Sequence, residues 1–283
     1  MSLGLCLSGG GIKGAAHIGA LQALEEENIK FDYLSGTSSG SIVASLYSIG
    51  YTPAEIYQLF SKYICHINYV EPKNVIKIIY GLITKGKITI DGMNSGEIIE
   101  KIINEAALKK SITNISQIRK PLIIPSIDLQ SGEVYFFSSV ELKDSISDNI
   151  ININNINIGA AVRASCSYPG IFSPYKYNNR LLVDGGIKEN VPWKGIKGLG
   201  ATKTLAIVFE TEEKKRKEMN IINVIENSFN MLVKELSEYE DDGVDIIIKI
   251  KSDPTSLLDK TKFKLFYEKG YKEVKKNIDK IRI

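Results

Sequence analysis

The sequence predicts an α/β fold built on parallel strands, and three observations carry that expectation. The opening third alternates short apolar strand candidates with helical patterns, and strands joined that way run parallel through right-handed crossovers. A glycine-rich stretch, Ser8-Gly9-Gly10-Gly11-Ile12-Lys13-Gly14, links the first strand to the first helix. A second strand–turn–helix follows, centred on Gly36-Thr37-Ser38-Ser39-Gly40. With 283 residues, 43% of them hydrophobic, the chain can bury a sizeable core.

Each element follows from its local pattern. Leu3 to Leu7 is a short apolar strand that runs into the glycines. A helix spans about Ala15 to Glu27, with Ile18, Leu21 and Leu24 three apart and Asn28 as its stop. Phe31 to Leu34 is the second strand, and Ser39 to about Ile49 the helix after it. Pro53 opens a helix to about Cys65. His66 to Ile90 is apolar but poorly periodic. A helix packed on the core is the simpler reading there; a mobile cap over a site is the other. Asn94-Ser95 starts a helix to about Leu108. Pro121 to Leu129 and Glu133 to Ser139 read as antiparallel strands joined at Gln130-Ser131-Gly132. Ser145 to Asn157 alternates Ile and Asn and is a loop or an edge strand. Ile158 to Ser167 is a short helix broken by Pro169-Gly170, and Leu181 to Val183 a strand running into Asp184. Thr204 to Glu210 and Val244 to Ile250 are strands. Between them lie a charged surface run, Thr211 to Glu218, and a long helix, Met219 to Glu240. A helix from about Lys262 to Lys280 comes last.

Composition narrows the function classes. Lys+Arg 36 against Asp+Glu 33 is nearly balanced, which argues against a nucleic-acid partner. The basic runs at Lys109-Lys110, Lys214 to Lys217 and beyond Lys260 read first as solvated helix faces. The alternative is attraction to anionic lipid heads, which places the protein at a membrane periphery. Three cysteines without ligand spacing point to a reducing, cytoplasmic compartment and no disulfide framework. Leu3 to Leu7 is too short for a secretory signal, and no apolar run is long enough for a transmembrane segment.

The chemistry starts at Ser38. Gly36, Ser38 and Gly40 spell G-x-S-x-G, the pattern of a nucleophile elbow, in which a strained serine stands at the tip of a strand-to-helix turn. Side chains two positions either side would collide in such a turn, which suits glycine. The helix that follows aims its positive end at the serine oxygen. An ordinary strand–helix turn fits the motif equally well.

The loop Gly9-Gly10-Gly11-Ile12-Lys13-Gly14 also fits G-x-G-x-x-G, with Asp32 near the distance of a ribose-binding acid. That leaves a nucleotide-binding reading open. The competing reading is an oxyanion hole, since consecutive glycine amides can converge on one point. Lys13 adds a positive charge that can hold the loop or a developing anion.

A nucleophilic serine needs a base. The chain has only two histidines. His17 sits in the first turns of the glycine-loop helix and reads as packing or surface, and His66 has no motif around it. Asp184 is the better candidate. It ends an apolar strand, and Gly185 and Gly186 leave room beside it. Partial burial would raise its pKa toward that of a useful base. Arg163, in Arg163-Ala164-Ser165-Cys166-Ser167-Tyr168-Pro169, could pair with a carboxylate or a phosphate oxygen, and reads first as a structural salt-bridge partner.

Taken in order, these four blocks resemble the patatin-like phospholipases: the glycine loop with Lys13, the Ser38 elbow, the Arg163 to Pro169 block, and Asp184-Gly185-Gly186. The resemblance spans about Leu5 to Trp193. It implies a three-layer α/β/α fold with a mostly parallel central sheet, in one hydrolase domain over 1–283 whose C-terminal part completes the fold. It also implies hydrolysis of lipid acyl esters by a Ser38–Asp184 catalytic dyad, with Gly10 and Gly11 as the oxyanion hole and no metal or cofactor. The substrate is then a lipid met at a membrane surface. A catalytically weak lipid-binding or scaffold relative is the reading from another class. Head group, acyl position and oligomeric state are not legible.

Overall fold

The computed structural model describes residues 2–142, 150–211, 224, 227–229, 231–236, 242–252 and 257–282. The first part alternates β1 (Leu3–Leu7), α1 (Ala15–Glu26), β2 (Tyr33–Gly36) and α2 (Ser39–Ser48). Three helices follow, α3 (Pro53–Tyr63), α4 (Pro72–Lys85) and α5 (Glu97–Lys109), with a short strand β3 (Gly92–Asn94) before the last. Strands β4 (Leu122–Asp128), β5 (Val134–Ser138) and β6 (Ile150–Ile153) lead into α6 (Ile158–Ser165). Then come β7 (Gly170–Phe172), β8 (Tyr175–Tyr177), β9 (Arg180–Asp184), α7 (Trp193–Gly198), β10 (Lys203–Thr211), β11 (Ile246–Ser252) and α8 (Phe263–Lys276).

The main sheet runs β11-β10-β1-β2-β4-β5-β6, with β9 and β8 joined to β4. From β11 to β4 all neighbours are parallel; β5 is antiparallel to β4, and β6 parallel to β5. Its central strands are buried on both faces. Leu5, Leu7, Leu205 and Ile207 join one core, while Cys6, Ala206 and Val208 join another. The first core takes in α1, α2, α3, α5, α6 and α8 through residues such as Ile18, Val43, Ile56, Ile103, Val162 and Phe266; Ile196 of α7 covers the opposite face. This is the expected three-layer α/β/α arrangement. Alternation puts successive side chains on opposite faces, so continuous apolar strands require a helix layer on each side.

The antiparallel turn at 130–132 and most element positions agree with expectation. The Ile/Asn stretch forms an edge strand at β6, and its earlier part lies outside the described residues. So does most of the charged run and of the helix expected over 219–240; residues 231–236 are helical. The small β3–β7 sheet was not expected. Its strands are too short to show a period.

One reading is corrected. The 66–90 region does hold a helix, α4, but it does not pack an apolar face on the core. Its buried residues are Asn74 and Gly81, while Ile76, Ile79, Leu82 and Ile83 are exposed.

The sheet register brings the two ends of the candidate dyad together. β2 pairs with the start of β4, Ser35 opposite Ile123. β9 pairs antiparallel with the end of β4, Asp184 opposite Ser126. β5 occupies the other edge of β4, so β2 and β9 share one edge and meet head-on. Ser38 lies three residues past Ser35, and Ser126 three past Ile123, so Ser38 and Asp184 arrive at the same height.

Candidate active site

Ser38 stands between β2 and α2 with φ 51° and ψ −122°, a region that L-residues avoid. The turn is held that tightly by its glycines. A Cβ on Gly36 would lie 2.4 Å from the Gly40 carbonyl oxygen, and one on Gly40 would lie 2.2 Å from that of Leu7. The G-x-S-x-G spacing is therefore a packing requirement of the elbow. Ser38 donates its amide to Ser165 Oγ at 3.0 Å, and its carbonyl accepts from Ser41 Oγ at 2.6 Å.

Asp184 ends β9 and is buried, 2% exposed. It lies on an antiparallel branch of the sheet, paired with the end of β4. Its Oδ1 accepts from the Gly186 amide at 2.8 Å, while Oδ2 is buried without a hydrogen-bond partner. Burial pushes the carboxyl up to about 6 from an ordinary 3.8; the nearby Ser38 hydroxyl and the Gly186 amide oppose the rise. No hydrogen bond of ordinary length joins Ser38 to Oδ2, a common state of catalytic pairs without substrate. Gly185 is required because a Cβ there would meet the Pro125 carbonyl oxygen at 2.5 Å.

The glycine loop passes beside the elbow. The Gly9 amide is taken by Asn190 Oδ1 at 3.0 Å. The amides of Gly10 and Gly11 donate to no protein group among the described residues. Gly11 has φ +57°, and a Cβ there would strike the Leu257 carbonyl oxygen at 2.5 Å. Lys13 is buried below the loop and donates its amide to the Gly10 carbonyl. Gly14 packs so closely on Ser39 that a Cβ would come within 2.7 Å of the Ser39 Cβ. His17 is fully buried and donates Nε2–H to the Ser8 carbonyl at 2.8 Å, its ring 4.7 Å from that of Phe209. Burial pulls its pKa down to about 4, so it is a neutral prop for the loop. His66 is exposed, with Nδ1 at 3.2 Å from Cys65 Sγ. Neither histidine hydrogen-bonds Ser38.

The Arg163 block ties the two halves together in a way the sequence did not disclose. Ser165 accepts the Ser38 amide, and the Ser167 carbonyl accepts the Asp184 amide at 3.1 Å. The buried Arg163 guanidinium donates to the carbonyls of Ser95 and Ser173 and to Ser167 Oγ. These neutral partners replace the expected salt bridge; carbonyl dipoles can satisfy a buried guanidinium. Cys166 lies beside the pair, its thiol pushed up to about 12 by burial and by the Asp184 charge. Only the R-x-S-x-S spacing on a helix hinted at Ser165 and Ser167.

A cavity of about 480 Å³ opens over Ser38. Gly11, Ser38, Ser39 and Cys166 line its base, and Ile42, Phe60, Ile64, Ile78, Ile88, Ile99, Phe172 and Phe263 its walls. Such a lining suits an alkyl chain.

The nucleotide reading fails on position. Asp32 accepts the Leu3 amide at 2.8 Å, at the entry end of β1, whereas the glycine loop lies at the exit end. A ribose and its phosphates would have to span the sheet.

Known proteins agree with this architecture. The sequence matches the family described as patatin-like phospholipase over residues 5–196. Uncharacterized protein R571 of Acanthamoeba polyphaga mimivirus is 31% identical over 98% of this chain and 94% of its own length. Probable lipid hydrolase 463L of Invertebrate iridescent virus 6 is 29% identical, over 78% of this chain and 68% of its own. The crystal structure of VipD from Legionella pneumophila aligns with a TM-score of 0.54 at 16% identity, over 99% of this chain and 67% of that one, a likeness of fold. Family match, sheet order and the arrangement of the four sequence blocks converge: this chain belongs to the patatin-like phospholipase family.

Proposed function

We propose that this protein hydrolyses fatty-acyl esters of lipids, with Ser38 as nucleophile and Asp184 as its general base. The reading is supported most directly by one juxtaposition. A strained serine lines the base of an apolar cavity, and a buried carboxylate with a free oxygen stands beside it.

The acyl chain lies in the cavity with its ester carbonyl at Ser38. Asp184 accepts the hydroxyl proton as Ser38 Oγ bonds to the carbonyl carbon. The oxyanion takes hydrogen bonds from the Gly10 and Gly11 amides; one such donor typically lowers a barrier by about 3 kcal/mol. The C–O bond to the leaving alcohol breaks and Asp184 returns the proton to that oxygen. An acyl-Ser38 remains. Water then attacks the acyl carbon, gives a proton to Asp184, and Ser38 leaves with it as the fatty acid departs. A carboxyl near 6 suits both halves, since it is mostly ionised at neutral pH yet holds a proton well enough to return it.

A fluorophosphonate probe and a lipid panel test this together. Label on Ser38 with release of free fatty acid is expected. Purified Ser38→Ala and Asp184→Asn should each lose nearly all turnover while staying folded. Wild-type turnover in both variants rules the dyad out, and an unreactive Ser38 supports the lipid-binding scaffold instead.

A further inference from the structure

Helix α4 is amphipathic the wrong way round for a core helix. At 3.6 residues per turn, Val75, Ile76, Ile79, Tyr80, Leu82 and Ile83 share one side. All six are exposed, Ile76 by 67%, Tyr80 by 63% and Ile83 by 78%. The opposite side makes the contact with the protein, through Asn74 and Gly81. Asn74 Nδ2 donates to the Met93 carbonyl at 3.0 Å, and Gly81 packs against the Lys87 carbonyl. An apolar face of that breadth is stable when something apolar covers it.

Two observations choose the cover. First, α4 is one wall of the cavity. Ile78 lines it from the flank of the helix, and Ile88 and Ile90 continue the lining just beyond. Whatever rests on the outer face therefore sits about one helix diameter, roughly 10 Å, from the cavity. Second, the charge on the segment is positive. From Pro72 to Ile90 the chain carries Lys73, Lys77, Lys85 and Lys87 and no acidic residue; Lys73 pairs with the preceding Glu71 at 2.8 Å, which leaves Lys77, Lys85 and Lys87 as the net positive charges. Lysines flanking an exposed apolar helix face suit the interface of an anionic bilayer, where their stems stay apolar and their ammonium groups reach the headgroups.

We propose that the outer face of α4 docks on an anionic lipid bilayer, lying in the plane of the surface and bringing the cavity to its substrate. The choice of a bilayer over a protein surface rests on the lipid-hydrolase reading. The deciding experiment separates the two, because it reads binding without turnover.

The full chain is floated with phosphatidylcholine vesicles, with and without phosphatidylglycerol. Wild type should float with the anionic vesicles. Ile76→Glu with Ile83→Glu should lower the partition coefficient by about tenfold or more, given the area each isoleucine would otherwise bury. Lys77→Gln and Lys87→Gln should each weaken anionic binding by about fivefold and leave neutral vesicles unaffected. Circular dichroism checks that the variants fold. The proposal is overturned if wild type stays in the aqueous layer, or if the double Glu variant floats as wild type does. It is equally overturned if lipid-free wild type forms a dimer that the double Glu variant splits, since a second copy then covers the face. Ser38→Ala should float normally, and wild type that floats yet releases no fatty acid from any lipid counts against the hydrolase reading alone.

Discussion

Replacing Asp184 by asparagine should make the protein inactive and more stable, with a stability gain that depends on pH. Burial holds the Asp184 carboxyl at about 6 instead of 3.8, so its ionised form is disfavoured in the fold. At about 1.36 kcal/mol per pH unit, the burden is ~3 kcal/mol once the group is fully ionised. The sign follows from proton binding. Below pH 3.8 folded and unfolded chains both hold the proton and the burden is absent. Between about 4 and 6 only the folded chain holds it, so stability falls as pH rises. Above about 6 the folded carboxyl is ionised too and the full burden persists. Asparagine keeps an oxygen for the Gly186 amide but carries no charge, so it escapes this dependence. Urea unfolding of both proteins should therefore give nearly equal stabilities near pH 4, and a lead of about 3 kcal/mol for Asp184→Asn near pH 8. A gap that does not change with pH would refute the reasoning, as would an asparagine variant less stable than wild type at pH 8.

Wild-type kcat/KM on a soluble acyl ester should rise through about pH 6 as Asp184 ionises, and an activity that is flat from pH 4 to 8 counts against it as the base. Ser38→Gly should relieve the backbone at φ 51° and stabilise the fold by about 1–2 kcal/mol while abolishing turnover, as read by thermal unfolding and ester cleavage. Gly11→Ala should lose about 2 kcal/mol or more and most of kcat, because the new methyl meets the Leu257 carbonyl and the loop must move. Arg163→Ala should cost about 3 kcal/mol in urea unfolding, since it strips donors from the Ser95 and Ser173 carbonyls and from Ser167.

Much of the fold could be read along the chain. Apolar strands that alternate with helical patterns imply parallel pairing and two covering layers, and β1, β2, β10 and β11 pair that way. The Ser38 elbow was equally legible. Its glycines answer to neighbours within a few residues, such as Gly36 against Gly40, so the demand is written locally. The scarcity of histidine pointed toward an aspartate.

Other features needed the assembled molecule. Asp184 reaches Ser38 because β9 runs antiparallel along the edge of β4 that β2 vacates, and no local pattern encodes a register between distant strands. Its raised pKa and free Oδ2 come from surroundings drawn from several elements. Arg163 turned out to grip carbonyls instead of a carboxylate, because burial leaves it only the groups that packing delivers. Helix α4 shows the same limit from the other side. Its apolar residues are plain in the sequence, but hydrophobicity has no direction, and only the contacts of Asn74 and Gly81 turn that face outward. Local backbone geometry and composition are thus properties of the chain itself. The pairing of Ser38 with Asp184, the charge state of that pair and the facing of α4 depend on which distant surfaces folding brings into contact.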